Sequence, residues 1–358
     1  LKTDRADITD RNGVLLATGL ATASLYANPR VVLDAASAAK KLARTLPSLD
    51  AVSVSARLGS ERGFVWLARH LTPRQQYAVN RLGIPGLYFK REERRIYPNG
   101  TLAAHVIGHT DIDNRGLAGI ERQFDAELAK HTRPLRISID ARVQHVAELE
   151  LSRAMAEFRA SGATAIVQDV RNGEILAMVS LPQFDPNQPP ASDPDARFNR
   201  ATLGVYEMGS TFKIFTIAMA LESGRATLAS GYDARKPIRI SRFVIRDFHA
   251  KRRWLSVPEI FIYSSNIGAV KMALDVGIDA QRAFLDRLGL LSPSPVELTE
   301  VGAPLVPGRW RRVNAMTISF GHGLSVSPLQ LVSGVSAMVN GGVLYTPTLV
   351  KHQTGQVP

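Results

Sequence analysis

The sequence predicts an α+β protein in which helices pack on an antiparallel sheet. Residues 135–140 alternate in character as a strand does, and residues 141–158 have helical spacing. Residues 164–179 contain two apolar, strand-like segments separated by Asn172-Gly173, a pair that favours a tight hairpin turn. A long helical region follows. This order of strand, helix, hairpin and further helices is typical of the α+β class.

Length and composition allow two globular domains. The chain has 358 residues, 45% of them hydrophobic, and no long low-complexity segment, which is enough to form two separate cores. Its character changes at Pro134, after which the pattern described above begins. We therefore expect an N-terminal domain over residues 1–134 and a second domain over residues 135–358.

The charge balance favours anionic partners without identifying one. A net charge of +12 suits nucleic acid, an anionic membrane surface or a phosphate-bearing substrate, and it also suits a merely solubilising surface. The densest basic run, from Lys90 to Arg95, is interrupted by Glu92 and Glu93. This interruption, and the scatter of the other arginines, favour a solvated face over a nucleic-acid contact.

Three absences in the sequence narrow the possibilities further. Cysteine is absent, which excludes disulfides, cysteine-ligated metals and a thiol nucleophile. No apolar run approaches the ~20 residues that a membrane-spanning helix needs. The chain begins at Leu1 without an initiator Met or a signal-like segment, and we expect it to be part of a longer protein.

Local signals predict a hairpin and two helices in the N-terminal part. Asn12-Gly13 lies between apolar stretches and favours a type I′ turn, in which both residues take a positive φ. Helical patterns cover residues 31–46 and 72–82. The second pattern is entered by the capping residue Thr72 and a proline, the order that a helix start prefers.

A metal site is one chemical candidate, and its spacing argues against it. His105 and His109 have Asp111 and Asp113 nearby. The Val-Ile-Gly between the histidines predicts a strand, in which side chains four residues apart share a face but lie too far apart to chelate one ion together. We therefore predict no metal, and no cofactor, for this chain.

The strongest catalytic candidate is Ser210 followed by Lys213. Gly209 and Ser210 suit a turn and a helix N-cap, and residues 214–221 are apolar on nearly every side, which predicts a helix buried all round. Side chains three positions apart share a face of the first helical turn, so the amine can reach the hydroxyl. The same spacing also arises by chance, as a helix cap followed by a solvated lysine.

A desolvated lysine at this position can activate the serine. Lysine removes the proton of a serine hydroxyl only when its own amine is neutral. We expect apolar neighbours and the positive end of the helix dipole to lower the pKa of Lys213. The backbone N–H of Ser210, at the same helix end, is a candidate donor to an oxyanion.

A second polar motif, Tyr263-Ser264-Ser265-Asn266, follows an apolar stretch. A second hydroxyl beside a Ser–Lys pair can relay a proton to a leaving amine. The amide of Asn266 offers both a donor and an acceptor for holding a peptide bond. On its own, this motif is common loop chemistry.

Taken together, these motifs resemble those of the class B penicillin-binding proteins, in which S-x-x-K and S-x-N form one active site. The resemblance extends over essentially the whole chain. The further segments that carry it are Arg5 to Ala17, Tyr97 to Glu121, Phe198 to Ala201, Ile245 to His249, Pro258 to Phe261 and Ser319 to Leu331. The segments at 245–249 and 258–261 are typical of the division-specific enzymes of Gram-negative bacteria, the penicillin-binding protein 3 type.

The resemblance implies a penicillin-binding transpeptidase fold over residues 135–358, with an elongated pedestal of the dimerisation type before it. The implied reaction is acyl transfer, in which a D-Ala-D-Ala terminus acylates Ser210 with Lys213 as the base. Ser264 would pass a proton to the departing D-alanine, and Asn266 would hold the stem-peptide amide. An amine of a neighbouring stem peptide would then resolve the ester, and β-lactams would acylate the same serine. The residues implied to bind substrate are Ser265, Gly209, Gly321 and Gly323.

The resemblance also implies the cellular setting. The expected partners are peptidoglycan stem peptides on a lipid-linked precursor, β-lactam antibiotics, a SEDS-type glycosyltransferase and other division proteins, with no nucleic acid. A single-pass anchor before Leu1 would hold this part of the protein in the periplasm, at the inner membrane, for septal wall synthesis.

One motif of the family is missing. The Lys-Thr-Gly strand has no counterpart, and the nearest string, His352-Gln353-Thr354-Gly355, is interpreted as a loop. Its loss would remove a clamp for the substrate carboxylate and one oxyanion donor. We therefore expect a transpeptidase domain that is truncated before this strand and impaired in catalysis, in a natural protein that continues beyond Pro358.

Two other functions share these motifs. A Ser–Lys β-lactamase or β-lactam sensor would use the same serine, and its bound penicillin would leave quickly in a hydrolase and slowly in a transpeptidase. A non-catalytic division scaffold would use the fold only to bind partners, and Ser210→Ala would then still support growth.

Overall fold

The computed structural model describes residues 5–130, 133–189, 193–240 and 243–352. Helices and strands are mixed along these residues, which confirms the predicted α+β class. The strands are β1 (Ile8–Thr9), β2 (Leu15–Ala27), β3 (Val65–Leu71), β4 (Leu87–Ile96), β5 (Leu135–Arg136), β6 (Ala163–Gln168), β7 (Ile175–Leu181), β8 (Gly231–Asp233), β9 (Ile238–Ile240), β10 (Phe243–Ile245) and β11 (Trp254–Ser256). The helices are α1 (Ala35–Thr45), α2 (Ala51–Leu58), α3 (Pro73–Asn80), α4 (Ala104–Ile107), α5 (Gly119–Gln123), α6 (Asp125–Leu128), α7 (Ala141–Glu157), α8 (Pro194–Arg197), α9 (Lys213–Glu222), α10 (Val257–Ile262), α11 (Asn266–Val276), α12 (Ile278–Arg287), α13 (Arg312–Ile318) and α14 (Pro328–Val339).

The largest sheet lies in the N-terminal part of the chain. Its order is β3-β2-β1-β5, and β4 pairs with β2 as well. Residues 18–27 of β2 run antiparallel to residues 87–96 of β4. Alternate side chains of a strand point to one face, and on that face Leu25 is fully buried in a core with Leu42 of α1. Helices α1, α2 and α3 and strand β3 contribute most of the rest of this core.

Capping side chains begin the two predicted helices of this part. Helix α1 starts directly behind Asp34, whose carboxylate accepts the backbone N–H of Ser37 at 2.9 Å. Helix α3 begins with a capping box between Thr72 and Gln75, with Pro73 in its first turn. Both caps satisfy backbone donors that a helix N-terminus leaves open, so both helices are confirmed, the first with a later start.

The hairpin predicted at Asn12-Gly13 forms, but the predicted turn type, type I′, is wrong. Gly13 has a φ of +93°, whereas Asn12 does not take a positive φ. The N–H of Gly13 donates to the carbonyl of Asp10 at 3.1 Å, and the Asp10 carboxylate accepts the N–H of Val14 at 2.8 Å. The turn therefore needs only one left-handed residue, which glycine supplies at little cost.

The strand predicted around His105 is wrong, because Ala104–Ile107 forms the short helix α4. His105 Nε2 donates to the carbonyl of Ala196 at 2.8 Å, and burial lowers the pKa of His105 to about 4. His105 and His109 both pack edge-on against Phe184. Within the described ranges, no group of three or more histidine, aspartate or glutamate side chains is placed to hold a metal ion. We therefore interpret the two histidines as packing residues around Phe184.

The basic run from Lys90 to Arg95 lies in β4 and is only partly solvated. Arg95 is buried, with its Nε 2.6 Å from a carboxylate oxygen of Glu121. The other oxygen of Glu121 lies 2.7 Å from the guanidinium of Arg5, which is buried as well. Lys90, Arg91 and Arg94 are exposed, as the predicted solvated face requires. For Arg95 the prediction is wrong, because its side chain is buried in this ion pair.

The second half of the chain is built on the antiparallel pair β6 and β7, which confirms the predicted hairpin. Helix α7 packs against both strands, and α14 packs against β6. The strand predicted at 135–140 is shorter: β5 joins β1 in parallel, and Ile137 makes only an isolated bridge with Val350. The predicted loop 182–199 contains the short helix α8, and its residues 190–192 lie outside the described ranges.

Helix α9 is the centre of the remaining helical layer. It contacts α10, α11, α12 and α14, and Phe215 is fully buried in a core with Leu285 and Ile318. Of the string 352–355, only His352 lies within the described ranges. None of the helices in those ranges has the length and apolar character needed to cross a membrane.

Candidate active site

Ser210 and Lys213 lie where a 3₁₀ turn meets helix α9. The turn covers Gly209–Phe212, and α9 begins at Lys213. The prediction that Ser210 caps the helix is wrong, because the cap residue is Phe212 and no side chain bonds there. In a 3₁₀ turn, residues i and i+3 are in line, so the two side chains meet. No residue from Lys213 to Leu221 is exposed, as predicted for a helix buried all round.

The Lys213 amine is the centre of a hydrogen-bond cluster. Its Nζ lies 2.8 Å from Ser210 Oγ, 2.9 Å from Ser264 Oγ and 2.9 Å from the Ser264 carbonyl oxygen. Lys213 is 1% exposed, whereas both serines are exposed. A buried amine therefore connects two hydroxyls that solvent or a substrate can reach.

Burial controls the protonation of this amine. Desolvation disfavours the charged form of lysine and lowers the pKa of Lys213 to about 8. The negative charge of Asp247 acts in the opposite direction, but its effect is smaller. With this pKa, roughly a tenth of the amine is neutral at pH 7, and that fraction can act as a base.

Ser264 reaches Lys213 through an uncommon backbone conformation. It lies between α10 and α11 with a φ of +54°, in the left-handed region that costs a non-glycine residue ~1–2 kcal/mol. In this conformation both its carbonyl and its hydroxyl face Lys213 Nζ. These contacts offset the cost, and strain of this kind is common at functional sites.

Asp247 supports the motif Ser264–Asn266 from the loop after β10. One carboxylate oxygen accepts the Ser265 hydroxyl at 2.8 Å, and the other accepts the backbone N–H of Ile267 at 2.9 Å. Ser265 also caps α11, because its Oγ accepts the N–H of Gly268 at 3.0 Å. Ser265 is buried and is bonded within the protein, so its substrate contact stays a prediction.

Asn266 is held through its amide nitrogen. This nitrogen donates to the backbone carbonyl of Arg246 at 2.9 Å, which fixes the orientation of the side chain. In the described part of the chain, the amide oxygen of Asn266 has no hydrogen-bond partner. It can therefore accept a substrate N–H.

A glycine pair joins the 3₁₀ turn to the loop after α13. Gly209 and Gly321 have φ values of +57° and +83°, and the N–H of Gly209 donates to the carbonyl of Gly321 at 3.1 Å. A Cβ on Gly321 would lie 1.9 Å from the Gly209 carbonyl oxygen, so this approach requires glycine. The predicted substrate contacts of Gly209, Gly321 and Gly323 stay predictions; their observed contacts position the backbone beside Ser210.

Two carboxylates of the site have no role in the sequence motifs. Glu207 accepts the N–H of Gly323 at 2.6 Å and lies 3.0 Å from His322 Nδ1, so it ties the residues before Ser210 to the loop after α13. Asp247 acts on the other side of the site. Glu207 lies three residues before Ser210, and Asp247 lies in the segment 245–249 that resembles the family. Neither position reveals which distant backbone the carboxylate holds.

This arrangement can carry out acyl transfer. A hydroxyl in contact with a partly neutral, buried amine can attack an electrophilic carbonyl. The amine can pass the proton to the second hydroxyl and from there to a leaving group. The backbone N–H of Ser210, near the start of the 3₁₀ turn, is suited to stabilise the oxyanion.

Comparison with known proteins relates both halves of the chain to one family. Residues 163–357 match the family model described as the penicillin binding protein transpeptidase domain. Residues 1–153 match the model of the penicillin-binding protein dimerisation domain.

Three curated relatives show the same similarity. The chain is 43% identical, over 99% of its length, to the probable peptidoglycan D,D-transpeptidase FtsI of Caulobacter vibrioides and covers 61% of that protein. It is 33% identical, over 98% of its length, to the probable peptidoglycan D,D-transpeptidase PenA of Neisseria meningitidis, and 31% identical, over 100% of its length, to the peptidoglycan D,D-transpeptidase FtsI of Escherichia coli. It covers 66% of each of these two proteins. The chain therefore spans less than two thirds of the length of each of the three relatives. The two domain matches and these identities show that the chain belongs to the class B penicillin-binding proteins of the FtsI type.

Proposed function

We propose that this chain carries the serine acyl-transfer centre of a peptidoglycan D,D-transpeptidase. One observation carries the proposal: Lys213 Nζ lies within 2.9 Å of both the Ser210 and Ser264 hydroxyls. The relatives are described as peptidoglycan D,D-transpeptidases, which supports the choice of substrate.

In the acylation step, neutral Lys213 accepts the proton of Ser210 while Ser210 Oγ attacks the carbonyl between the two terminal D-alanines. The resulting oxyanion is stabilised by the backbone N–H of Ser210. The proton moves from Lys213 through Ser264 Oγ to the amine of the last D-alanine as its C–N bond breaks. Free D-alanine leaves, and an ester remains on Ser210.

In the transfer step, an amine of a neighbouring stem peptide attacks this ester. Ser264 and Lys213 accept the proton that the amine loses and return it to Ser210 Oγ, which restores the serine and leaves a new peptide cross-link. The amide oxygen of Asn266 holds an N–H of the stem peptide during both steps. A β-lactam acylates Ser210 in the same way, but its leaving group stays attached.

We further propose the setting of this reaction. Residues 1–134 form a pedestal and residues 135–358 the transpeptidase domain, in a protein that is anchored in the inner membrane and acts in the periplasm during septal synthesis. Its partners are a SEDS-type glycosyltransferase and other division proteins. The resemblance of segments 245–249 and 258–261 to the division-specific enzymes supports this role, and the first of these segments contacts the site through Arg246 and Asp247.

Intact-mass spectrometry after incubation with a fluorescent penicillin tests the proposal, on this chain and on the complete product of its gene. We expect one adduct, which is absent in Ser210→Ala and present in the control Ser223→Ala at the other end of α9. An adduct that persists in Ser210→Ala would refute the assignment. Release of the adduct over hours supports a transpeptidase, whereas release within minutes would identify a hydrolase.

A further inference from the structure

The loop between β10 and β11 carries a concentration of cationic side chains at the edge of the site. We call residues 246–253 the rim segment. Its cationic residues are Arg246, Lys251, Arg252 and Arg253, and all of them are exposed. Its single carboxylate, Asp247, is already bonded to Ser265 and Ile267.

Both ends of the rim segment are fixed to the site. At the first end, the carbonyl of Arg246 accepts the amide of Asn266. At the other end, Lys251 Nζ lies 4.6 Å from the centre of the Tyr263 ring, a distance at which a cation and a ring attract each other. Tyr263 directly precedes Ser264, and consecutive Cα atoms are ~3.8 Å apart. The Lys251 ammonium is thus held on the ring of the residue that directly precedes Ser264.

Lys251 differs from its neighbour Arg253 in how its charge is compensated. Arg253 pairs with Glu259 at 2.6 Å, and its Cζ is 5.9 Å from the Tyr263 ring. Lys251 makes no ion pair with any described residue. An exposed cation that is oriented by a ring and lacks a carboxylate partner is suited to bind an anion.

We propose that the rim segment recognises carboxylate groups of the acyl donor, with Lys251 as a residue that determines specificity for anionic stem peptides. The inference rests on the function proposed above. Asn266, which holds the donor N–H in that reaction, is bonded to the carbonyl of Arg246, the first residue of the rim segment, so a donor held there lies next to this segment. The exposed Phe248, in the middle of the segment, offers an apolar surface to the same ligand.

Penicillins that differ in side-chain charge test this inference. The probes are carbenicillin, with an extra carboxylate, benzylpenicillin, with a neutral side chain, and ampicillin, with an ammonium group. In Lys251→Gln, we expect the ratio of the acylation rate constants for carbenicillin and ampicillin to fall about two- to fivefold, the range of an exposed ion pair. For the unsubstituted chain, high salt should reduce this ratio of rate constants in the same way, because it screens the ion pair.

The control is Lys40→Gln on α1, which removes the same charge from an exposed position of the N-terminal part. It leaves the ratio unchanged if the effect is local to the rim segment. An equal change in both variants, or no change in Lys251→Gln, overturns the proposal. A rim segment that serves the acceptor peptide instead of the donor also gives no change, because acylation precedes acceptor attack.

A binding measurement separates this inference from the proposed reaction. Isothermal titration of Ser210→Ala with a stem pentapeptide, and with the same peptide amidated at its side-chain carboxylates, needs no acylation. We expect the peptide with free carboxylates to bind more tightly than the amidated peptide. In Lys251→Gln, the ratio of the two affinities should fall about two- to fivefold. If no penicillin acylates either this chain or the complete product of its gene, the proposed function fails, and the titration still decides the role of Lys251. Equal affinity of the chain for the two peptides would refute the proposed role of Lys251.

Discussion

At the scale of single residues, Lys213 shows how burial creates a base. Its side chain is buried, and its amine is in contact with two serine hydroxyls and a carbonyl. Desolvation lowers its pKa to about 8, and the same contacts position the amine for proton transfer. One structural feature thus determines both the geometry and the protonation of the site.

The pKa of Lys213 predicts the pH dependence of acylation. The neutral amine is the active form, and its fraction rises with pH until the pH passes a pKa of about 8. The second-order rate constant for penicillin acylation should therefore increase about tenfold between pH 7 and pH 9 and then level off. Stopped-flow measurements of acylation across this range check the prediction. A flat profile, or a rise only above pH 10, would show that Lys213 is not the base.

Asp247 is a positioning residue for the second motif. In Asp247→Asn, one of the two acceptors for Ser265 and Ile267 becomes an NH₂ group that faces a donor, which should lower the free energy of unfolding by ~1–3 kcal/mol. We expect acylation to slow by about 10- to 100-fold, because a shift of ~1 Å misaligns the Ser264 relay.

The matched control for this variant is Asp275→Asn on α11, where the carboxylate accepts the exposed hydroxyl of Tyr232 at 3.1 Å and no other donor among the described residues. Urea unfolding and acylation rates of both variants provide the comparison. Asp247→Asn with an unchanged acylation rate would exclude the positioning role.

At the scale of elements, the site depends on short segments that contact each other through their backbones. The 3₁₀ turn with Ser210 packs on the loop after α13 at Gly321, and the loop after β10 holds the start of α11. The helices themselves follow from local signals such as the Thr72 capping box. The strand predicted at 135–140 was wrong in extent, because only β5 finds a neighbouring strand in register.

A pair of glycine substitutions tests the contact at Gly321. Gly321 and Gly341 both have a positive φ, +83° and +91°, so alanine should cost ~1–2 kcal/mol at either position. At Gly321 the new Cβ would meet backbone, at 1.9 Å from the Gly209 carbonyl oxygen, whereas no described residue apart from the chain neighbours lies within 4 Å of a Cβ at Gly341. We expect Gly321→Ala to lose penicillin acylation and Gly341→Ala to keep it. Equal acylation of the two variants would contradict this account.

At the scale of the whole molecule, a buried ion cluster connects distant parts of the N-terminal half. Glu121 on α5 is completely buried between Arg5, near the start of the chain, and Arg95 on β4. Arg95 also donates to the carbonyl of Ala6 at 2.8 Å. The cluster therefore holds the first residues, the sheet and α5 together.

Removing the charge of Glu121 should destabilise this half strongly. In Glu121→Gln, two buried guanidinium groups lose their shared carboxylate, and the free energy of unfolding should fall by ~3–5 kcal/mol. The control Glu222→Gln breaks an exposed pair with Arg287 and should change it by at most ~1 kcal/mol. Urea unfolding followed by tryptophan fluorescence measures both, and a similar small change in the two variants would refute the prediction.

The local features of this protein could be predicted from short stretches of its sequence. The spacing of Ser210 and Lys213 implied their contact, because residues three apart meet in any helical turn. The apolar residues 214–221 implied a buried helix, and the Asn-Gly pairs implied hairpins. Each of these features depends on residues that are close along the chain.

How the distant parts of the chain meet could not be predicted in this way, because it depends on tertiary packing. Ser264 lies 51 residues from Lys213, and its approach requires a left-handed backbone between two packed helices. The roles of Asp247 and Glu207 depend on which backbone N–H groups are carried to them by the packing of α11 and the loop after α13. Such contacts follow from the packing of whole elements, which no short stretch of sequence encodes.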